Sequence, residues 1–446
     1  MLNLIDELWF LKRDIISDDF DRALARLAQE VPMKIHEYPT GERCWTWIVP
    51  EKWTCTEAFI ERVGTDPSLP AQRVLDYGDH PLHVISYSLP FEGIVSREEL
   101  LRHVHVHPRL PEAIPYVFKY YERDWGFCLP QTLRDRLTDD AYRVVIRAAF
   151  EPGRLKVGEI LLPGESDETF VLAAHLCHPA MVNDDLTGVV VALETARRLL
   201  KGPQSLGVET LHYTYRFLIL PETIGSVAYL SHHEDLIPKM SAGLFLEMLG
   251  NASAHALQGS FMPHSQADRC LNSAFQGLDP VGYCAPYRTV INNDERQFNA
   301  PGVRVPMLSL SRVEPPDSPT RPYREYHSSL DTPAIISEER LENSVKTVLG
   351  LIQAWERNQF VVNQFKGEVF CSGYGIWIDY RSNPEGHRRL FEIMERCDGE
   401  HTIADIAVEL GISFQSAWEV IALLKEKELV RFSRAPQPTT PRREQV

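Results

Sequence analysis

The sequence predicts an α/β fold, a sheet with helices on both faces, and three observations point to it. From about residue 120 to 362, short apolar runs alternate with helical periods, the pattern of strand–helix units. The runs TFVLAAHL (169–176), TYRFLILP (214–221) and AGLFLEMLG (242–250) read as buried strands. Each of the three carries or runs into polar residues at its carboxyl end, where open α/β sheets bind ligands.

Residues 1–38 show a helical period through Leu2, Ile5, Leu8, Leu11 and Ile15, then Phe20, Leu24 and Leu27. Residues 39–118 change texture. Alternating runs such as Trp45–Val49 and His83–Tyr87, often interrupted by Pro and Gly, predict a small β-rich unit inserted into the larger one. Strict alternation in HVHVHP would place His103, His105 and His107 on one strand face. The larger unit resumes at 119 and runs to 365. It contains a further strand at 143–150 and helices at about 185–201, from Thr223, at 265–277 and at 337–357. Residues 370–434 read as helix, turn at Gly411, helix and a β-like end, the order of a winged helix-turn-helix domain. The Pro-rich, charged segment 435–446 is expected to be a disordered tail.

Composition excludes several roles. Among 446 residues, 46 Lys+Arg face 62 Asp+Glu, a formal net charge of −16, so long-range attraction to phosphate backbones or anionic lipid is absent. The C-terminal unit carries 10 Lys+Arg against 12 Asp+Glu from Cys371 onward. Its candidate recognition helix, Ser413–Lys425, has Glu419 and Lys425 as its charges. Nucleic-acid binding is therefore disfavoured, and a packing or protein-contact role is expected. Trp418 is expected in the small core of that unit, against the larger domain, or against a second copy in a homo-oligomer. No run approaches the roughly 18 apolar residues of a membrane span. The charged N-terminus reads as an amphipathic helix, not a signal peptide. Eight scattered Cys without a CxxC read as reduced thiols in a cytoplasmic protein.

Chemistry concentrates at the strand ends. AAHLCHPAMVNDDLTG (173–188) offers His175, His178, Asp184 and Asp185, a donor set suited to zinc. One of the two Asp could serve only as a helix cap, but two His and two Asp within eleven residues exceed what capping needs. Glu222 follows a strand and Pro221, at a helix start. Glu247 interrupts an apolar strand, where a carboxylate is costly to bury unless paired or metal-bound. His327 lies in a loop with Asp331 four residues on, placed to orient its imidazole. Asp294 and Glu295 sit in a Gly/Pro-bounded loop that otherwise reads as a solvated turn.

Taken in order, these elements resemble the zinc aminopeptidases of the bacterial leucyl aminopeptidase type over residues 120–360. The resemblance implies a three-layer α/β/α domain. It implies that His175, Asp184, Glu247 and His327 bind metal, with Asp184 bridging, and that Glu222 is the general base. Thr223 stands where that family has a second Glu, a metal ligand. His178 has no counterpart there, and could restore the ligand or replace His175. One or two zinc ions are expected, one being favoured because of Thr223. Zinc would lower the pKa of water and polarise a carbonyl, with Glu222 moving the proton. Asp294 or Glu295 would receive a substrate amine. The whole chain resembles a subgroup of aminopeptidase-like proteins with an inserted domain and a terminal winged helix, some associated with polysaccharide biosynthesis. The expected activity is cleavage of a small peptide or amide. The alternatives are a deacylase or amidase acting on a modified sugar or biosynthetic intermediate, and a non-enzymatic regulator with a vestigial metal site.

Overall fold

A computed structural model describes residues 1–63 and 72–439. At its centre lies an eight-stranded mixed sheet. The strands are β1 (Lys34–Pro39), β2 (Arg154–Leu162), β3 (Thr169–His175), β4 (Thr214–Leu220), β5 (Met240–Leu246), β6 (His255–Gln258), β7 (Tyr283–Ala285) and β8 (Met307–Arg312). Their spatial order is β1-β2-β4-β3-β5-β8-β6-β7. The central strands β4, β3, β5 and β8 run parallel, while β1, β2 and β6 pair antiparallel at the flanks. Every residue of β3 is buried, as expected of a parallel strand covered on both faces.

The covering helices are α1 (Leu2–Leu8), α2 (Asp18–Leu27), α3 (Leu186–Lys201), α4 (Ile224–His232), α5 (Gln266–Leu278) and α6 (Glu338–Arg357). Successive residues of β4 show the two layers. Tyr215 donates its hydroxyl to Glu356 on α6 at 2.9 Å, and Arg216 donates to the hydroxyl of Tyr229 on α4 at 2.8 Å. Because side chains alternate along a strand, α6 and α4 cover opposite faces. Gly188 lets α3 approach the sheet closely. A Cβ there would stand 2.2 Å from the carbonyl oxygen of Leu246, at the end of β5.

Several expectations are revised. The N-terminal 38 residues are not helical throughout, since β1 pairs with β2. The strand at 143–150 is real but does not belong to the main sheet. It is part of Ala141–Glu151, which pairs with Lys52–Arg62 and Phe91–Ser96 in a separate four-stranded sheet. Residues 141–151 thus pair with strands of the 39–118 segment, and the chain then enters β2 through Pro152-Gly153. HVHVHP is not one strand face. Only Val104–His105 is extended in a strand, while His103 stacks on Trp125 at 3.8 Å and His107 accepts backbone N–H bonds from Arg109 and Leu110.

The C-terminal unit contains helices Pro384–Glu395, Ile403–Leu410 and Phe414–Glu426, with Gly411 at φ +62° turning between the last two. Its three-stranded sheet takes its central strand from Phe360–Asn363, ahead of the expected boundary at 370, between Asp398–Thr402 and Val430–Ser433. Part of the expected disordered tail is ordered. The N–H groups of Gln437 and Thr439 donate to the carbonyls of Gly399 and Asp398 at 2.8 and 2.9 Å. Residues 440–446 lie outside the described residues. Among those described, no helix is long and apolar enough to cross a membrane.

Candidate metal centre and active site

His175 is the last residue of β3, at the carboxyl edge of the sheet. His178, Asp184 and Asp185 follow in the loop that enters α3, Glu222 follows β4, and Glu247 follows β5. His327 arrives from the loop after β8. The parallel register brings these separate segments to one edge, because each crossover returns the chain in the same direction.

Asp184 lies at the centre, with 2% of its surface exposed. Its Oδ1 is 3.5 Å from His175 Nε2, which is itself 3.2 Å from Glu247 Oε2. Its Oδ2 is 3.1 Å from His327 Nε2 and 3.9 Å from His178 Nε2. Donor atoms therefore converge in two groups, His175/Asp184/Glu247 and His178/Asp184/His327, that share one carboxylate. A third convergence joins His175, Cys177, His178 and Glu222. Glu222 Oε2 is 3.7 Å from His178 Nε2, and its side chain keeps 24% exposure where its carboxylate neighbours are buried.

The donor set fits zinc. Asp184 Oδ1 is buried without a hydrogen-bond partner, an expensive state for a polar atom unless an ion orders the cluster. Burial pushes the Asp184 carboxyl up, but the imidazoles of His178, His327 and His175 outweigh it and hold the group well below the usual carboxylate range. Burial, with the Asp184 and Glu222 charges adding to it, raises Glu247 despite the hydrogen bond from His175.

Supporting residues fix this arrangement. Asp185 occupies the N-cap position of α3 without making a side-chain cap bond. Its Oδ2 instead lies 3.5 Å from His175 Nδ1 and 3.4 Å from His178 Nδ1, and accepts the His178 N–H at 3.0 Å. Asp331 does not orient the His327 ring as its spacing suggested. Its two oxygens accept the backbone N–H groups of Asn183 and Asp184 at 2.7 and 3.0 Å, and the Tyr323 hydroxyl at 2.8 Å. The reason is reach: a carboxylate four residues from His327 meets the neighbouring loop before it meets the ring. His327 is held by Tyr326, stacked at 3.9 Å, and its carbonyl accepts the N–H of Tyr116 from the preceding segment at 2.8 Å.

Thr223, the residue after Glu222, is engaged by the loop at 294–296. Its N–H donates to Asp294 Oδ1 and its hydroxyl accepts from Arg296. His178 stands beside Glu222 and Asp184. Asp294 and Glu295 are fully buried, contrary to the solvated-turn reading. Burial raises Asp294 to about 7 and Glu295 to about 8. Glu295 accepts the Asn293 N–H, and the Asn293 amide donates to Glu247 at 2.7 Å. Asp294 Oδ2 is buried and unpartnered. Ala180, Thr223, Met248 and His327 all have positive φ without being glycine, so backbone strain gathers around the donors. Sequence reading missed Tyr116 and Tyr326, because an aromatic in a loop has no spacing that sets it apart from core.

Fold and site together define a mixed α/β protein with a candidate His/Asp/Glu metal centre at the edge of its parallel strands. A family model described as a domain of unknown function (DUF4910) matches residues 2–358, and the chain belongs to that family. A Clostridium acetobutylicum relative, named "Putative polysaccharide biosynthesis protein with aminopeptidase-like domain", is 31% identical over 96% of this chain and 95% of its own length. A crystal structure described as a "putative peptidase" of C. acetobutylicum is similar at TM-score 0.83 and 30% identity, covering 97% of this chain and 95% of the other. A zinc aminopeptidase from Bacillus subtilis shares the fold at TM-score 0.55 and 13% identity, covering 78% of this chain and 93% of the other.

Proposed function

We propose that this chain is a zinc-dependent hydrolase that cleaves an amide bond of a small peptide or related substrate, with Glu222 as general base. The observation that carries the reading is the shared carboxylate of Asp184 between two imidazole–carboxylate groups, with the partly exposed Glu222 beside them. His175, Asp184 and Glu247 would hold one ion, and His178, Asp184 and His327 a second. His178 supplies the donor that Thr223 lacks, which favours two zinc ions over the single one expected from Thr223 alone. Zinc held by these residues supplies Lewis-acid polarisation of a carbonyl and acidification of water.

The remaining chemistry belongs to the chain. Glu222 takes a proton from the attacking water and returns it to the leaving amine. A free substrate amine needs a carboxylate, and Asp294, whose Oδ2 has no partner, is the candidate. Tyr116 and Tyr326 wall the donor cluster on the His327 side and limit the size of what enters. A second reading, an amidase or deacylase acting on an amide of a modified sugar, draws its support from the name of the 31% identical relative. The C-terminal unit resembles a winged helix and serves packing in this reading.

Elemental analysis should find two zinc ions per chain. In Glu222→Gln the metal should remain while hydrolysis falls by about two to four orders of magnitude. A panel of aminoacyl-amides and N-acyl sugars distinguishes the two substrate readings. Protein without zinc, and without a thermal shift on its addition, would overturn both.

A further inference from the structure

Arg13 is the largest fully buried side chain among the described residues, at 0% exposure. It belongs to the segment between α1 and α2, far in sequence from the donor cluster. A buried guanidinium costs several kcal/mol of desolvation unless it is well paired, so its partners are informative. Nη1 donates to Asp185 Oδ1 at 2.9 Å and to the Leu176 carbonyl at 2.6 Å, and Nη2 donates to the Met181 carbonyl at 2.9 Å. The two carbonyls bracket the loop that carries His178. The same segment accepts the Ala180 N–H on the Leu11 carbonyl at 3.2 Å.

The other oxygen of Asp185 faces both His175 Nδ1 and His178 Nδ1. One carboxylate oxygen thus lies within ion-pair reach of one imidazole from each donor group. With a proton on each Nδ1, the Nε2 lone pairs are left toward Asp184, the arrangement a metal ligand needs. Arg13 fixes that carboxylate in place: it is its counter-charge, and it ties it to the Leu176 and Met181 carbonyls of the loop.

We infer that Arg13, acting through Asp185, is the positioning residue for both imidazole donors, so that the N-terminal segment completes the metal centre. This rests on the zinc reading of the site. Without Arg13 the two His ligands lose their common orienter together. A lesion in the N-terminal segment should therefore weaken zinc binding at both groups.

Zinc affinity, measured by competition with a chromogenic chelator, tests this on the full chain, together with the melting temperature of the metal-free and zinc-loaded forms. Arg13→Met and the near-isosteric Asp185→Asn should each bind zinc about 10–100-fold more weakly. The zinc-induced thermal shift should shrink, and the visible spectrum of the cobalt-substituted protein should change. Arg13→Lys, which keeps the charge but not the fork, should recover part of the loss. Should Arg13→Met fail to fold, Asp185→Asn and Arg13→Lys decide. Wild-type zinc affinity in these variants, with only the metal-free melting temperature lowered, would make Arg13 a mere structural fastener and overturn the inference. Wild-type protein that takes up no zinc would overturn the metal reading itself.

Discussion

At the scale of single residues, two imidazoles accept backbone N–H groups, a use open only to the neutral ring. His80 Nδ1 accepts the Leu82 N–H at 3.1 Å, and His107 Nδ1 accepts those of Arg109 and Leu110. Burial, then the neighbouring His83, lowers His80 to about 4. The folded value is below the unfolded one near 6.5, so the native state binds fewer protons. Stability from His80 is complete above pH 6.5 and is lost as pH falls from there toward 4, on the order of 1–2 kcal/mol between pH 7 and 5. An Asn oxygen can accept the same bond without titrating. Denaturant unfolding of His80→Asn should show a shallower loss over that range, and an unchanged slope would rule out this group as the cause. Residue identity at the donor cluster was legible because strand ends marked it: His175, Glu222 and Glu247 each close an apolar run. Arg13 was not. An arginine in an amphipathic segment looks solvent-exposed, and its partner lies 172 residues away.

At the scale of elements, the buried parallel strands were legible, while the sheet they join was not. β3, β4 and β5 announce themselves by mostly apolar runs, since both faces are covered. The strand Ala141–Glu151 and the strand β2 are separated by two residues, yet they pair in different sheets. Local pattern reports that a strand is half-buried but not which partner buries it. The junction of α3 with β5 makes a test of how elements carry the site. Gly188 admits the first turn of α3 against the Leu246 carbonyl, and a Cβ would be 2.2 Å from that oxygen. Backbone against backbone leaves no flexible side chain to yield. Gly188→Ala should push the turn bearing Asp184 and Asp185 away from Glu247. The expected cost is on the order of 1–3 kcal/mol of stability. A drop in bound zinc should accompany it, measured by elemental analysis beside thermal unfolding. Full zinc content at reduced stability would show that the helix relaxes without disturbing the donors.

At the scale of the whole molecule, the C-terminal unit is fastened to the sheet domain by polar bonds across α5. Asp405 caps its own helix with Thr402, and accepts from Arg269 at 2.7 Å and from the Gln266 amide. Trp418 lies between Phe432 of its own unit and the Arg357 guanidinium, 4.6 Å from its ring centroid, at the end of α6. The two placements expected for Trp418 within the chain are therefore both partly realised. None of these contacts involves a residue of the donor cluster. A chain cut after Phe370 would keep strand Phe360–Asn363 while removing both strands that flank it. An unpaired strand with both edges open is a template for aggregation. A cut after Asn358 removes that strand as well, and exposes the faces of α5 and α6 that the unit covers. Both truncations should retain the zinc content of the full chain. The one ending at Phe370 should be the less soluble of the two, as judged by light scattering at equal concentration. Equal solubility would mean that the exposed face of α5, not the orphaned strand, governs assembly. Loss of zinc from both would make the C-terminal unit part of the catalytic scaffold.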